Sequence, residues 1–274
     1  MTYFCSIFRK MASPTKTALL FIRHRVKARS RFDLHSPFMY KIYKEIIRNR
    51  TPSKELWFIE NLRARLRKDP GYIKMSDLGS GGEEIPFCRR LVSIRQVVRK
   101  SSISAAYGEL LFRFSRMLEP EITLELGTSL GMSTAYLAMG NPSGQVITLE
   151  GCEETAEAAR KNFQHLGLSN IRQVTGSFDE VLPHLLPGFG KIDLVFIDGN
   201  HRKKPVMNYF TQCLQHFHED SVLIIDDIHW SGEMEEAWKE IRLHPSVTIT
   251  IDLFRMGLVF FSKALSKENF IIRF

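Results

Sequence analysis

The sequence predicts an α/β protein: a doubly wound, seven-stranded sheet whose last strand runs antiparallel, with a helical region in front of it. Three observations predict it. From Glu121 onward, short β-rich runs alternate with helix-like stretches, and those runs are nearly continuous in apolar residues. Strands of that kind belong to a parallel sheet covered on both faces. The last two β-rich runs, "SVTITIDL" and "GLVFFSK", lie only a few residues apart, so they pair as an antiparallel hairpin. Before Glu121 the pattern is helical throughout, which divides the chain into a basic N-terminal region, 1–120, and a sheet domain, 121–274.

In the first region, Ser36-Pro37 is a helix start, a capping side chain followed by proline at the first helical position. Phe38, Met39, Ile42, Tyr43, Ile46 and Ile47 then recur at helical spacing. Thr51-Pro52-Ser53 ends that helix, and Leu56, Ile59, Leu62 and Leu66 mark the next. Asp69-Pro70-Gly71 is a turn. Two more helical patterns cover Pro86–Val98 and Ser104–Leu118. In the second region the strands are "ITLEL" 122–126, "QVITLE" 145–150, "NIRQVTG" 170–176, "IDLVFID" 192–198 and "SVLIID" 221–226. Helices are expected at about 130–139, 153–166, 203–217 and 233–242.

The 274 residues, 44% hydrophobic and 25% charged, describe an ordinary globular protein. No apolar run reaches the roughly 20 residues that span a bilayer, and the N-terminus lacks the apolar core of a signal peptide. The four cysteines are scattered, without a C-x-x-C pair, which fits a reducing cytoplasm and no zinc frame. A cytoplasmic location is expected. Charge is uneven: residues 1–120 hold 25 Lys/Arg against 10 Asp/Glu, and residues 121–274 hold 13 against 20. A basic first part fits an anionic small molecule, acidic lipid or nucleic acid, and equally a set of solvated helical faces.

Two glycine loops compete for a cofactor, "SDLGSGG" at 76–82 and "LELGTSLGMST" from Leu124. A doubly wound sheet binds its cofactor after the first strand, with an acidic residue ending the next strand to meet ribose hydroxyls. Only the second loop meets both conditions, since Glu150 ends the next strand, 25 residues after Glu125. Glu125, Gly127, Thr128, Ser129, Gly131 and Glu150 are therefore candidate cofactor residues. The spacing Gly127-x-x-x-Gly131 lacks the dinucleotide fingerprint, and no G-K-[ST] for a nucleoside triphosphate follows. A glycine loop without a pyrophosphate cradle suits S-adenosylmethionine. The loop at 76–82 is left as a turn, with an anion site near Arg89 and Arg90 as the functional alternative.

With these motifs in order, residues 122–262 resemble the class I S-adenosylmethionine-dependent methyltransferases, with their Rossmann-like seven-stranded sheet. The similarity is greatest to the catechol and caffeoyl-CoA O-methyltransferase branch. "LELGTSLGMSTAYLA" is similar to that branch's cofactor loop, and "VITLEGCEETAEAARKNF" to its ribose-binding strand and helix. "TGSFDEVLPHL" resembles its adenine-side segment, which implies that Ser177 and Phe178 lie near the adenine. Residues 1–120 match nothing in the branch and read as a cap.

Asp198 ends the fourth strand and Asp226-Asp227 end the fifth. Adjacent strand ends lie about 5 Å apart, and like charges that close favour a raised pKa or a cation between them. The resemblance implies a divalent cation, magnesium or manganese, on Asp198, Asp226 and Asp227, and places Asp198 at the cofactor too. Asp227 stands where the branch has asparagine. His201, three residues past Asp198, stands where the branch carries a catalytic lysine, and a histidine is suited to serve as general base at neutral pH. The expected function is O-methylation of a small-molecule hydroxyl with metal assistance, in a chain open to forming a homodimer. Two alternatives stay open: a metal-independent methyltransferase acting on a sugar or natural product, and a non-catalytic module binding a partner or nucleic acid through 1–120. The N-P-P-[YF] tetrapeptide of base-amino methyltransferases is absent, which counts against nucleic acid as substrate.

Overall fold

A computed structural model describes residues 14–29, 36–49, 53–76 and 89–274. In chain order the first elements are α1 (Pro14–Lys27), α2 (Pro37–Ile42) continuing into a π turn at Tyr43–Ile47, and α3 (Lys54–Leu66). They are followed by β1 (Tyr72–Ser76), β2 (Arg89–Ser93), α4 (Ile94–Lys100) and α5 (Ala105–Leu118). Strand and helix then alternate: β3 (Ile122–Leu126), α6 (Met132–Gly140), β4 (Gln145–Glu150), α7 (Glu153–His165), β5 (Ile171–Thr175) and α8 (Phe178–Leu185). The alternation continues through β6 (Leu194–Ile197), α9 (Lys203–Leu214), β7 (Val222–Ile225) and α10 (Gly232–Leu243). It closes with β8 (Ile249–Asp252), β9 (Gly257–Phe260) and β10 (Glu268–Ile271). Eight strands, β3 to β10, make a mixed sheet.

The chain forms two compact units, one of Lys44–Leu185 and one of Met1–Tyr43 with Leu186–Phe274. Residues from both sides of position 120 contribute to each.

In the unit of Lys44–Leu185, β3, β4 and β5 pair in parallel. Helix α3 starts where the Ser53 hydroxyl accepts the Leu56 N–H, and it buries Ile59, Leu62 and Leu66. Its Arg63 is also buried. The guanidinium donates to the Ile103 carbonyl at 2.6 Å and pairs with Glu60 at 3.0 Å, so the desolvated charge is compensated. Helix α6 buries nearly every residue, and α5 lies against it, with the Ser115 hydroxyl donating to the Leu137 carbonyl. The pattern over Pro86–Val98, read as one helix, resolves differently among the described residues: β2 covers Arg89–Ser93 and the helix covers Ile94–Lys100. β2 pairs antiparallel with β1, a hairpin the sequence reading missed. The Asp77–Gly82 part of the first glycine loop lies outside the described residues.

In the other unit, Ser36 caps α2 by accepting the Met39 N–H, with Pro37 at the first helical position as expected. β6 pairs in parallel with β7, β7 antiparallel with β9, and β9 antiparallel with β8. β10 adds a strand parallel to β8, one more than the seven expected. All four residues of β6, β7, β8 and β9 are buried, as covered strands require. Helix α1 is tied to the far end of the chain. Buried His24 contacts Asp252 at 3.1 Å, Arg29 bridges Ile272, and Arg273 donates to the Arg25 carbonyl.

Candidate active site

The expected residues fall into two groups, one in each unit. In the unit of Lys44–Leu185, β3 delivers Glu125 and then turns through Gly127 at φ 112°, Ser129 at φ 48° and Gly131 at φ 79° into α6. A side chain at Gly131 would adopt a strained φ and meet the Phe163 ring at 2.3 Å. Beneath the turn runs a hydroxyl relay. Thr134 and Thr148 both donate to one oxygen of Glu125, and the Thr128 and Thr148 hydroxyls share a bond of 2.6 Å. Since Thr148 has spent its only proton on Glu125, Thr128 is the donor between them. Glu125 is wholly buried; desolvation raises its carboxyl to about 7, with Ser133, Thr134 and Thr148 opposing.

Glu150 ends β4 and grips the loop. One of its oxygens accepts the Ser129 N–H at 2.8 Å and the other accepts the Cys152 N–H at 3.1 Å. Burial raises its pKa, while these and neighbouring backbone N–H groups pull the other way. Ser177 and Phe178 open α8, where the Ser177 carbonyl accepts the Val181 N–H. The preceding Gly176 donates to the Glu150 carbonyl at 2.9 Å, so this segment adjoins the ribose-binding candidate.

The group fits an adenosyl cofactor on three counts. Gly127 takes φ 112°, which presents backbone rather than a side chain at the loop, and each Glu150 oxygen keeps an acceptor position beyond its backbone bond. The Ser129 hydroxyl and the second oxygen of Glu125 are buried polar atoms without a hydrogen bond.

The second group gathers at the ends of β6 and β7. Asp198 follows β6, Asp226 and Asp227 follow β7, and His201 precedes α9. His201 Nε2 lies 3.7 Å from Asp198 and 4.0 Å from Asp227. Desolvation holds the imidazole below its ordinary pKa, opposed by Asp226 and assisted by Arg255. It is therefore neutral and able to accept a proton near pH 7. Asp227, at φ 53°, is raised to about 7, first by burial and then by the Asp226 charge. The Trp230 ring centroid lies 6.5 Å from that of His201. His229 instead bonds Asp252 at 2.9 Å.

Asp198, Asp226 and Asp227 are close as expected, but as arranged they do not fit a divalent cation. Asp226 is wholly buried, and Arg255 grasps both its oxygens, with Nε at 3.0 and 3.2 Å and Nη2 at 2.8 Å. Arg255 Nε also lies 3.4 Å from Asp227. Among the described residues no group of three or more His, Cys, Asp and Glu is arranged to hold a metal ion. One of the three expected ligands, Asp226, is engaged by Arg255 in an ion pair. Arg255 was missed in the sequence because it lies in the β8–β9 hairpin turn; the available signal was a lone arginine in the apolar stretch "LFRMGLVFF".

Residues 124–228 match a family described as a methyltransferase domain. A catechol O-methyltransferase of Niastella koreensis is 32% identical over 136 residues, covering 48% of this chain and 61% of that protein. A catechol O-methyltransferase of Mycobacterium tuberculosis is 33% identical over 133 residues, 48% of this chain and 59% of that protein. The chain thus spans about three-fifths of the length of these curated relatives. Among solved structures, the O-methyltransferase TomG of Streptomyces achromogenes, in complex with S-adenosylmethionine, superposes with a TM-score of 0.55 at 20% identity. That match covers 77% of this chain and 91% of that one. An O-methyltransferase of Bacillus cereus gives a TM-score of 0.54 at 19% identity, covering 80% of this chain and 94% of that one. Over residues 124–228 the chain is thus similar to methyltransferase domains, and among curated proteins it is similar to O-methyltransferases.

Proposed function

We propose that this protein methylates a hydroxyl oxygen of a small molecule, using S-adenosylmethionine bound at Gly127, Thr128, Ser129, Gly131 and Glu150, with Ser177 and Phe178 on the adenine side. The cofactor supplies an electrophilic methyl group carried on a sulfonium. His201 takes the proton of the acceptor hydroxyl, and the oxygen electron pair forms the new bond to carbon. The S–CH3 electron pair returns to sulfur, so charge and atoms balance. Asp198 and Asp227 flank the imidazole and stabilise the imidazolium once formed. The observation that carries this reading is the neutral His201 poised among carboxylates after β6, in a chain similar to O-methyltransferases. The Arg255–Asp226 pair favours the metal-independent form of the activity.

The test uses labelled S-adenosylmethionine with a panel of phenols, catechols, sugars and vicinal diols, on wild type and His201→Ala. A general base contributes typically about 10²–10⁴-fold. The variant is expected to lose kcat on that scale while binding S-adenosylhomocysteine with wild-type affinity. Equal turnover in the two proteins would remove His201 from the mechanism. Failure of wild type to bind S-adenosylhomocysteine would remove the whole reading.

A further inference from the structure

We infer that Arg255 is a built-in cation that takes the place of a divalent metal in the acidic cluster of Asp198, Asp226 and Asp227, and that its guanidinium keeps metal out. The inference rests on the methyltransferase reading for its biological meaning, but not for its geometry. Three carboxylates at two neighbouring strand ends call for positive charge. The planar fork of an arginine matches a carboxylate with two parallel bonds, which a hydrated metal would have to break. Here the fork is spent on the one carboxylate of the cluster that is wholly buried, Asp226, and Nε reaches toward Asp227.

The arginine is also held from behind. Its carbonyl accepts the Ile228 N–H at 3.1 Å, so both its backbone and its side chain bind the 226–228 segment. The turn that carries it is fixed by Asp252, whose side chain accepts the Phe254 N–H at 2.8 Å and is bonded in turn by His229. Phe254 has φ 73°, a left-handed conformation that such anchoring maintains. Arg255 is thus a positioning residue. It neutralises Asp226 and fixes where Asp227 stands relative to His201, doing with a covalently tethered charge what a dissociable ion would otherwise do.

Manganese is titrated calorimetrically into wild type, Arg255→Ala and Arg255→Lys, with and without S-adenosylhomocysteine. Wild type and Arg255→Lys are expected to show no saturable manganese binding. Arg255→Ala is expected to gain a saturable site, lost again in Arg255→Ala/Asp226→Ala. A gain of metal binding is a readout that a merely structural arginine would not produce. Saturable binding by wild type that Asp226→Ala abolishes overturns the inference. So does a folded Arg255→Ala, verified by circular dichroism, that binds no manganese. Should the alanine variant not fold, Arg255→Gln, which removes the charge and keeps one amide donor of shorter reach, is read in the same way. The heat of S-adenosylhomocysteine binding reports separately on the methyltransferase reading, so each can fail without the other.

Discussion

Glu150 fastens the cofactor loop by accepting one backbone N–H on each oxygen, from Ser129 and Cys152. Replacing it with alanine removes the proposed ribose-side acceptor and leaves both donors to find water. Hydrogen bonds to a charged group contribute about 1.5–3 kcal/mol. Glu150→Ala is therefore expected to weaken S-adenosylhomocysteine binding at least about tenfold in calorimetry; unchanged affinity would displace the cofactor from this loop. The position of Glu150 was legible in the sequence because it depends only on strand order: an acid ending the strand after a glycine loop. His201 and the three aspartates were legible for the same reason. Arg255 was not. Its partner lies 29 residues away on another strand end, and only the pairing of β7 with β9 brings the two together.

At the scale of the element, α5 and α6 meet at Gly108. A Cβ there would lie 2.1 Å from the Tyr136 ring, whose hydroxyl is committed to Glu60. Alanine would raise intrinsic helix stability by about 1 kcal/mol, but forcing a ring out of a packed interface costs about 1–3 kcal/mol. Tyr136 is wholly buried, so the second effect wins. Gly108→Ala is expected to lower the urea midpoint without changing the slope, and a higher midpoint would refute the close contact.

Elements with strong periodicity were read correctly: β3 and β4 span 122–126 and 145–150, as expected. Four others escaped, each for a physical reason. β1 and β2 are exposed at Tyr72 and Leu91 and rich in basic residues, so their alternation resembles a helical face. α8 contains Pro183, which reads as a breaker although it is tolerated near the end of this short helix. β10 buries only Phe270 among its four residues and therefore has little apolar signal.

For the whole molecule, acid–base behaviour centres on Asp252. Burial would raise its pKa, but bonds from His229 and His24 hold it well below the carboxylate range. His229 moves the other way: burial disfavours its charge, yet Asp252 and Glu235 outweigh burial and raise its pKa. A depressed carboxylate contributes stability above its unfolded pKa, about 3.9, and loses it as pH falls through the folded value. A raised histidine contributes fully below its unfolded pKa, about 6.5, and loses it as pH rises through the folded value. The two windows overlap between about pH 4 and pH 6.5. The thermal midpoint is expected to decline as pH rises from about 6 to 8, and His229→Gln should flatten that decline. A slope that survives the substitution would assign it to another group.

The pairing of α1 with the end of the chain has a consequence for synthesis. His24 leaves the ribosome long before Asp252, Arg25 before Arg273 and Arg29 before Ile272. Lys44–Leu185 holds its own contacts and can close while translation continues, since domains fold as units during synthesis. Helix α1 is held by partners that come late in the chain. It must wait, with Leu19, Ile22 and Val26 still solvent-facing even in the finished fold, until some two hundred residues have followed it. Nascent chains stalled before β8 should therefore expose α1 to chaperones and proteases, while the glycine loop of Lys44–Leu185 is already formed.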